Sequence, residues 1–146
     1  MLSWLKKKQV LQEDPNLPNH FITKLDEVYE SMAKWAGQRN FSLLSRWFEK
    51  KPINILKVFV EQNPYTFSLQ DSKFRELYWD VIEGNYEDCM ADPNNEMEVQ
   101  VSIVYEHGRY SVGCGVDFSQ RWRFYIDDDG YPIIIGLEMF DTIINV

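Results

Sequence analysis

Along the first half of the chain the apolar positions recur at spacings of three and four. Phe21, Ile22, Leu25, Val28, Tyr29, Met32, Trp35 and Ala36 form one stripe. That period predicts an amphipathic helix, started by Asn19 after the Pro15 and Pro18 loop and stopped by Gly37. A shorter helix fits SLLSRWFEKK, with Leu43, Leu44, Trp47 and Phe48 on one side and Pro52 as its terminator. The segment Ile53–Val60 suits both periods. Ile55, Leu56, Phe59 and Val60 make a helical stripe, yet branched residues also favour a strand. Flanking helices and the stop at Asn63-Pro64 favour helix. Phe74, Leu77, Tyr78, Val81 and Ile82 then predict a fourth helix, capped near Ser68 or Ser72 and closed by Gly84.

After residue 96 the period becomes two. Met97, Val99, Val101, Ile103 and Tyr105 alternate with more polar neighbours, which predicts a half-buried strand. His107-Gly108 reads as a two-residue hairpin turn. RYSVGCGVDF, RWRFYID and YPIIIGLEMF complete a set of four strands, with Trp122, Phe124 and Ile126 sharing one face. Asp127-Asp128-Asp129-Gly130 falls between the last two and reads as a type I turn with a glycine bulge. The expected fold is α+β: about four N-terminal helices packed on a C-terminal four-stranded antiparallel meander, in a single domain over 1–146.

Charge changes this picture more than size or composition does. Residues 1–75 carry 12 Lys and Arg against 8 Asp and Glu, whereas residues 76–146 carry 3 against 15. The densest stretch, 76–98, holds Glu76, Asp80, Glu83, Glu87, Asp88, Asp92, Glu96 and Glu98 with no basic residue. On a helix Glu76, Asp80 and Glu83 share one face. Such a surface repels nucleic acid and anionic lipid and attracts basic partners. The two cysteines make no disulfide framework, and the opening MLSWLKKKQV has its lysines after its short apolar stretch, the reverse of a secretory signal. No apolar run reaches the roughly 20 residues of a membrane helix. A cytoplasmic protein is expected.

Catalytic candidates are few. His20 and His107 lie beside a helix start and in a turn, where local hydrogen bonding is the common use. Cys114 falls on an inward strand face. Cys89, in a loop beside Asp88, has its thiolate disfavoured by neighbouring carboxylates. No zinc spacing, nucleophile elbow or phosphate loop is present. The aspartate loop fails as a calcium site: aligned on Gly130, Tyr125 and Gly136 stand where the first and twelfth ligands belong. A nuclease-like reading of Asp92 with Glu98-x-Gln100 lacks the lysine, since no Lys follows Lys73. No enzyme, metal or cofactor is expected.

The expected activity is binding. With a His107-Gly108 turn, Ser102 pairs with Gly113 and Gln100 with Gly115, leaving a flat patch rimmed by Asp117, Arg121, Arg123 and Tyr125. The partner-binding candidates are therefore Glu76, Asp80, Glu83, Glu87, Asp88, Asp92, Gly113, Gly115, Arg123 and Tyr125. In general character, and in the acidity of 76–98, the chain resembles bacterial immunity proteins of contact-dependent growth-inhibition systems. The resemblance implies a cytoplasmic inhibitor that occludes the active site of a basic partner such as a nuclease toxin; the charge excludes nucleic acid and membrane, and a monomer or weak homodimer is expected. The alternative is a resemblance to the cone-shaped NTF2-like fold, a ligand-binding or enzymatic domain. Its pocket between helices and sheet would be lined by aromatics such as Tyr78, Trp79, Tyr110, Trp122 and Tyr125.

Overall fold

A computed structural model describes residues 17–38, 41–62, 72–107, 115–139 and 143–145. The elements are α1 (Asn19–Gln38), a 3-10 helix (Phe41–Arg46), α2 (Lys50–Gln62), β1 (Ser72–Glu83), α3 (Tyr86–Ala91), β2 (Met97–His107), β3 (Gly115–Ile126), β4 (Pro132–Met139) and β5 (Ile143–Asn145). The fold is α+β. The four longer strands form an antiparallel sheet in the order β1-β2-β3-β4, and β5 pairs with the start of β3.

α1 forms where its period predicts. Phe21, Ile22, Leu25, Val28, Tyr29, Met32 and Ala33 are buried in one stripe, and Asn19 is the first helical residue. The predicted second helix is not continuous. Its first part is the 3-10 helix; Phe48 then forms a parallel bridge to Ile134 of β4. The Ile134 amide donates to the Trp47 carbonyl at 2.7 Å and the Glu49 amide to the Ile134 carbonyl at 2.9 Å. Pro52, read as a terminator, instead sits in the first turn of α2, where a missing N–H is harmless. The Ile53–Val60 segment is helical and buries Leu56 and Val60.

The predicted fourth helix is a strand. The stripe Phe74, Leu77, Tyr78, Val81, Ile82 fits a period of 3.6, but Leu77 and Trp79 are buried between the less buried Glu76, Tyr78 and Asp80, a period of two. Pairing with β2 decides between the two readings, and the run Tyr78-Trp79-Asp80-Val81-Ile82 is rich in residues that fit a pleated surface. Three α-helices are therefore present among the described residues. The third, α3, lies between β1 and β2, in a stretch that reads as loop. Asn85 caps it, its side-chain oxygen accepting from the Glu87 and Asp88 amides at 2.8 and 3.2 Å.

β3 runs unbroken through what the sequence divides into two strands, and the register follows. Gln100 faces Arg121 and Ser102 faces Ser119, not Gly115 and Gly113. Gly115 instead pairs with Asn145, while Gly108, Tyr110, Gly113 and Cys114 lie outside the described residues. The flat glycine patch opposite β2 is not formed. The face assignment within β3 holds: Trp122, Phe124 and Ile126 are buried with Met97, Val99, Val101, Ile134 and Leu137 beneath the helices. Trp122 stacks on Tyr29 at 6.4 Å and meets Trp79 edge-on at 5.0 Å. Both indole N–H groups are satisfied, Trp79 donating to Asp26 Oδ1 at 2.7 Å and Trp122 to Gln120 Oε1 at 2.9 Å.

Candidate functional site: the open sheet face

Residues alternate across a strand, so whatever does not face the helices lines the other side of the sheet. The register sets these residues in rows. One row runs Glu83, Glu98, Arg123, Gly136; the next runs Asp80, Gln100, Arg121, Glu138; a third holds Tyr78, Ser102 and Ser119. A register shift between Val81 and Glu83 brings Glu83 level with Glu98. Glu76 and Asp80, spaced by four, share this face because four is an even number of strand steps. A helix would also bring them together, since four residues is about one helical turn.

Arg123 holds the first row. Its Nη2 donates to Glu98 Oε2 at 2.7 Å and to Glu83 Oε2 at 3.0 Å, and its Nη1 lies 3.5 Å from Glu96 Oε1. Arg121 Nε is 4.0 Å from Glu98 Oε1. Two carboxylates directly opposite on neighbouring strands repel, and the guanidinium between them offsets that repulsion. The Glu83 hydrogen bond, with Glu98 and Glu96 close by, holds the Arg123 guanidinium above its ordinary pKa against the opposing effect of burial. On the same face burial, assisted by Glu76, pushes the Tyr78 phenol up to about 12.

Of the residues expected to bind a partner, Glu76, Asp80, Glu83, Arg123 and Tyr125 lie on this face. Glu87 and Asp88 belong to the first turn of α3, a favourable place for negative charge. Asp92 follows α3, and its carboxylate accepts the Asn94 amide at 2.9 Å. Gly115 is at the far end of β3, beside β5. Glu96, Glu98 and Arg121 join the cluster around Arg123 although none is among the expected binding residues; Glu96 and Glu98 stand within the acidic run. Four of the aromatics expected to line one pocket divide between the two faces, Trp79 and Trp122 in the core and Tyr78 and Tyr125 opposite.

The aspartate loop is a structural turn. The Gly130 amide donates to the Asp127 carbonyl at 3.0 Å, Gly130 has φ +81°, and the Asp127 amide donates to the Tyr131 carbonyl at 2.9 Å. Asp127 Oδ1 accepts the amides of Asp129 and Tyr131, while Arg46 donates to Asp127 Oδ2 at 2.9 Å and Asp129 Oδ2 at 3.1 Å. Lys24 Nζ donates to the Asp129 and Gly130 carbonyls at 3.2 Å, and the Lys24 and Arg46 cations lie 4.9 and 5.6 Å from the Tyr131 ring centre. Protein cations and amides thus engage both oxygens of Asp127 and one of Asp129. Calcium or magnesium should leave the melting temperature unchanged. A saturable rise above about 2 °C would contradict the turn assignment.

This latch also gives an acid-sensitive contribution to stability. Burial works to raise the Asp127 pKa, but the Arg46 hydrogen bond and the Tyr131 and Asp129 amides outweigh it, and the net shift is downward. A depressed carboxylate stabilises the fold above its unfolded-state pKa and loses that contribution as pH falls through the folded value. Asp127→Asn should melt about 2–4 °C below the parent chain near pH 7, as expected for about 1 kcal/mol. The gap should close as pH falls below the ordinary aspartate value of 3.8. A gap independent of pH would show that the ion pair contributes nothing.

His20 Nε2 and the Tyr86 hydroxyl are 2.9 Å apart, a local contact between α1 and α3. Cys89 is buried on α3, not in a loop, and burial, with Asp88 and Glu96 adding to it, pushes its thiol pKa up. Among the described residues no group of His, Cys, Asp and Glu could hold a metal ion, and no helix is long and apolar enough to cross a membrane. No protein-family model, curated protein or solved structure matches the chain.

Proposed function

We propose that the chain is a binding protein that neutralises a basic protein partner, a nuclease toxin, by covering its active site with the open sheet face. The observation that carries this reading is the charge of that face: Glu76, Asp80, Glu83, Glu98 and Glu138 surround Arg121 and Arg123. A nuclease must present positive charge to a phosphate backbone, and an acidic sheet is complementary to that surface. The described helices bury their apolar stripes with the opposite side of the sheet, and on the acidic side Asp80, Glu83 and Glu138 are exposed. Charge complementarity of this kind speeds capture and selects the partner by sign. The general resemblance to immunity proteins agrees with cytoplasmic inhibition by occlusion.

The test is co-expression in bacteria with the basic domain encoded beside the chain's own gene. The chain should restore growth, and it should form a complex with a catalytically inactive form of that domain. A neighbouring domain that still kills, and that the purified chain does not bind, rules the reading out.

A further inference from the structure

At one end of the open face a cleft of roughly 470 Å³ is bounded by Glu49, Pro93, Asn94, Glu96, Tyr125 and Ile135. These residues come from four places in the chain. The Glu49 amide hydrogen-bonds the Ile134 carbonyl, which sets Glu49 beside β4. A register shift in the β3-β4 pairing skips Ile135. Tyr125 lies opposite Ile133 on β3. Asp92 fixes the turn before β2, its carboxylate accepting the Asn94 amide and its carbonyl the Asn95 amide at 3.0 Å.

We infer that this cleft is the anchor site for one arginine side chain of a protein partner, an assignment that rests on the open sheet face being a docking surface. Its walls match the parts of that side chain. Tyr125 offers a ring on which a guanidinium can stack, Pro93 and Ile135 offer apolar surface for the methylene stem, and Glu49 and Glu96 offer carboxylates. Among the described residues no basic one lines the cleft. Glu49, Pro93, Asn94 and Glu96 are exposed, so a small molecule would remain largely in water, whereas a side chain arrives with its own protein surface to close the mouth. Glu96 is also the carboxylate most weakly held by Arg123, at 3.5 Å against 2.7 and 3.0 Å for Glu98 and Glu83. An incoming guanidinium takes over Glu96 while Arg123 keeps its two shorter bonds.

The experiment is an amide-shift NMR titration of the intact chain with a capped tetra-arginine peptide, and in parallel with tetra-citrulline, its neutral isostere. Saturable shifts centred on Asn94, Glu96, Tyr125 and Ile135 are expected with tetra-arginine alone. Glu49→Gln and Glu96→Gln should each weaken binding roughly threefold, and together about tenfold. Equal binding of citrulline, or a double variant as tight as the parent, overturns the anchor. Shifts centred on Glu76 and Asp80 overturn it too, while leaving the docking face intact. Cleft binding of tetra-arginine without growth protection in co-expression supports the anchor and rejects the toxin partner.

Discussion

Replacing Gly84 with alanine should lower the melting temperature by about 6–12 °C, the equivalent of about 3 kcal/mol for a chain of this size. Gly84 joins β1 to α3 with φ +93°, and a Cβ there would lie 2.7 Å from the Glu96 carbonyl oxygen and 3.1 Å from Met97 Cα. The left-handed dihedral alone costs about 1–2 kcal/mol for a residue with a Cβ. The rest comes from the clash, which backbone atoms cannot relieve by a rotamer change. Gly130 is the internal comparison. Its φ is +81°, but an added Cβ would meet the end of the Lys24 side chain, at 2.6 Å, and that end can swing away. Gly130→Ala should therefore cost less, the dihedral's about 2–8 °C together with whatever the displaced Lys24 hydrogen bonds contribute. Gly84→Asn separates the two causes, since asparagine tolerates the dihedral but still carries a Cβ. It should melt close to Gly84→Ala. Recovery to within about 2 °C of the parent would place the whole effect in the dihedral.

The second large effect is on association. Changing Glu76, Asp80 and Glu83 together to lysine reverses the sign of the β1 side of the open face. The association rate with a basic partner should fall by one to two orders of magnitude at about 20 mM salt and by much less at about 200 mM, where the Debye length is roughly threefold shorter. The cost to folding should fall on Glu76, whose Oε2 is buried; Asp80 is exposed, and Arg123, relieved of Glu83, keeps Glu98 at 2.7 Å. The lost Glu83 pair is an exposed ion pair, a class that contributes about 0–1 kcal/mol. Stopped-flow rates at the two salt concentrations, with melting curves as the control, decide the matter. Equal rates for parent and variant would confine the acidic rows to a solubility role.

Parts of this arrangement are legible in the sequence for local reasons. α1 has a stripe long enough to fit only one period. The alternation through β2 is equally clear, and the aspartate turn carries its own chemistry in Asp127 and Gly130. β1 reads as a helix because its apolar residues satisfy two periods at once, and only the partner strand breaks the tie. The register of β2 against β3 depends on where the connecting turn falls; moving that point by a few residues relocates Gly115 from the middle of the face to its far end. Glu49 could not be placed at all from local pattern. Its position follows from the bridge between Phe48 and Ile134, a contact that no periodicity encodes.

The latch on the aspartate turn has a consequence for how the chain is made. Lys24 and Gly130 are 106 residues apart, and Arg46 and Asp127 are 81 apart. Translation at about 5–20 residues per second therefore delivers α1 some 5–20 seconds before the turn that pins it. Over that interval Phe21, Leu25, Tyr29 and Met32 have no Trp122 or Phe124 to cover them. The nascent segment exposes apolar surface that only β3 later covers, the condition under which chains aggregate. Slowing synthesis between codons 38 and 120 should therefore lower soluble yield without changing the stability of the molecules that do fold.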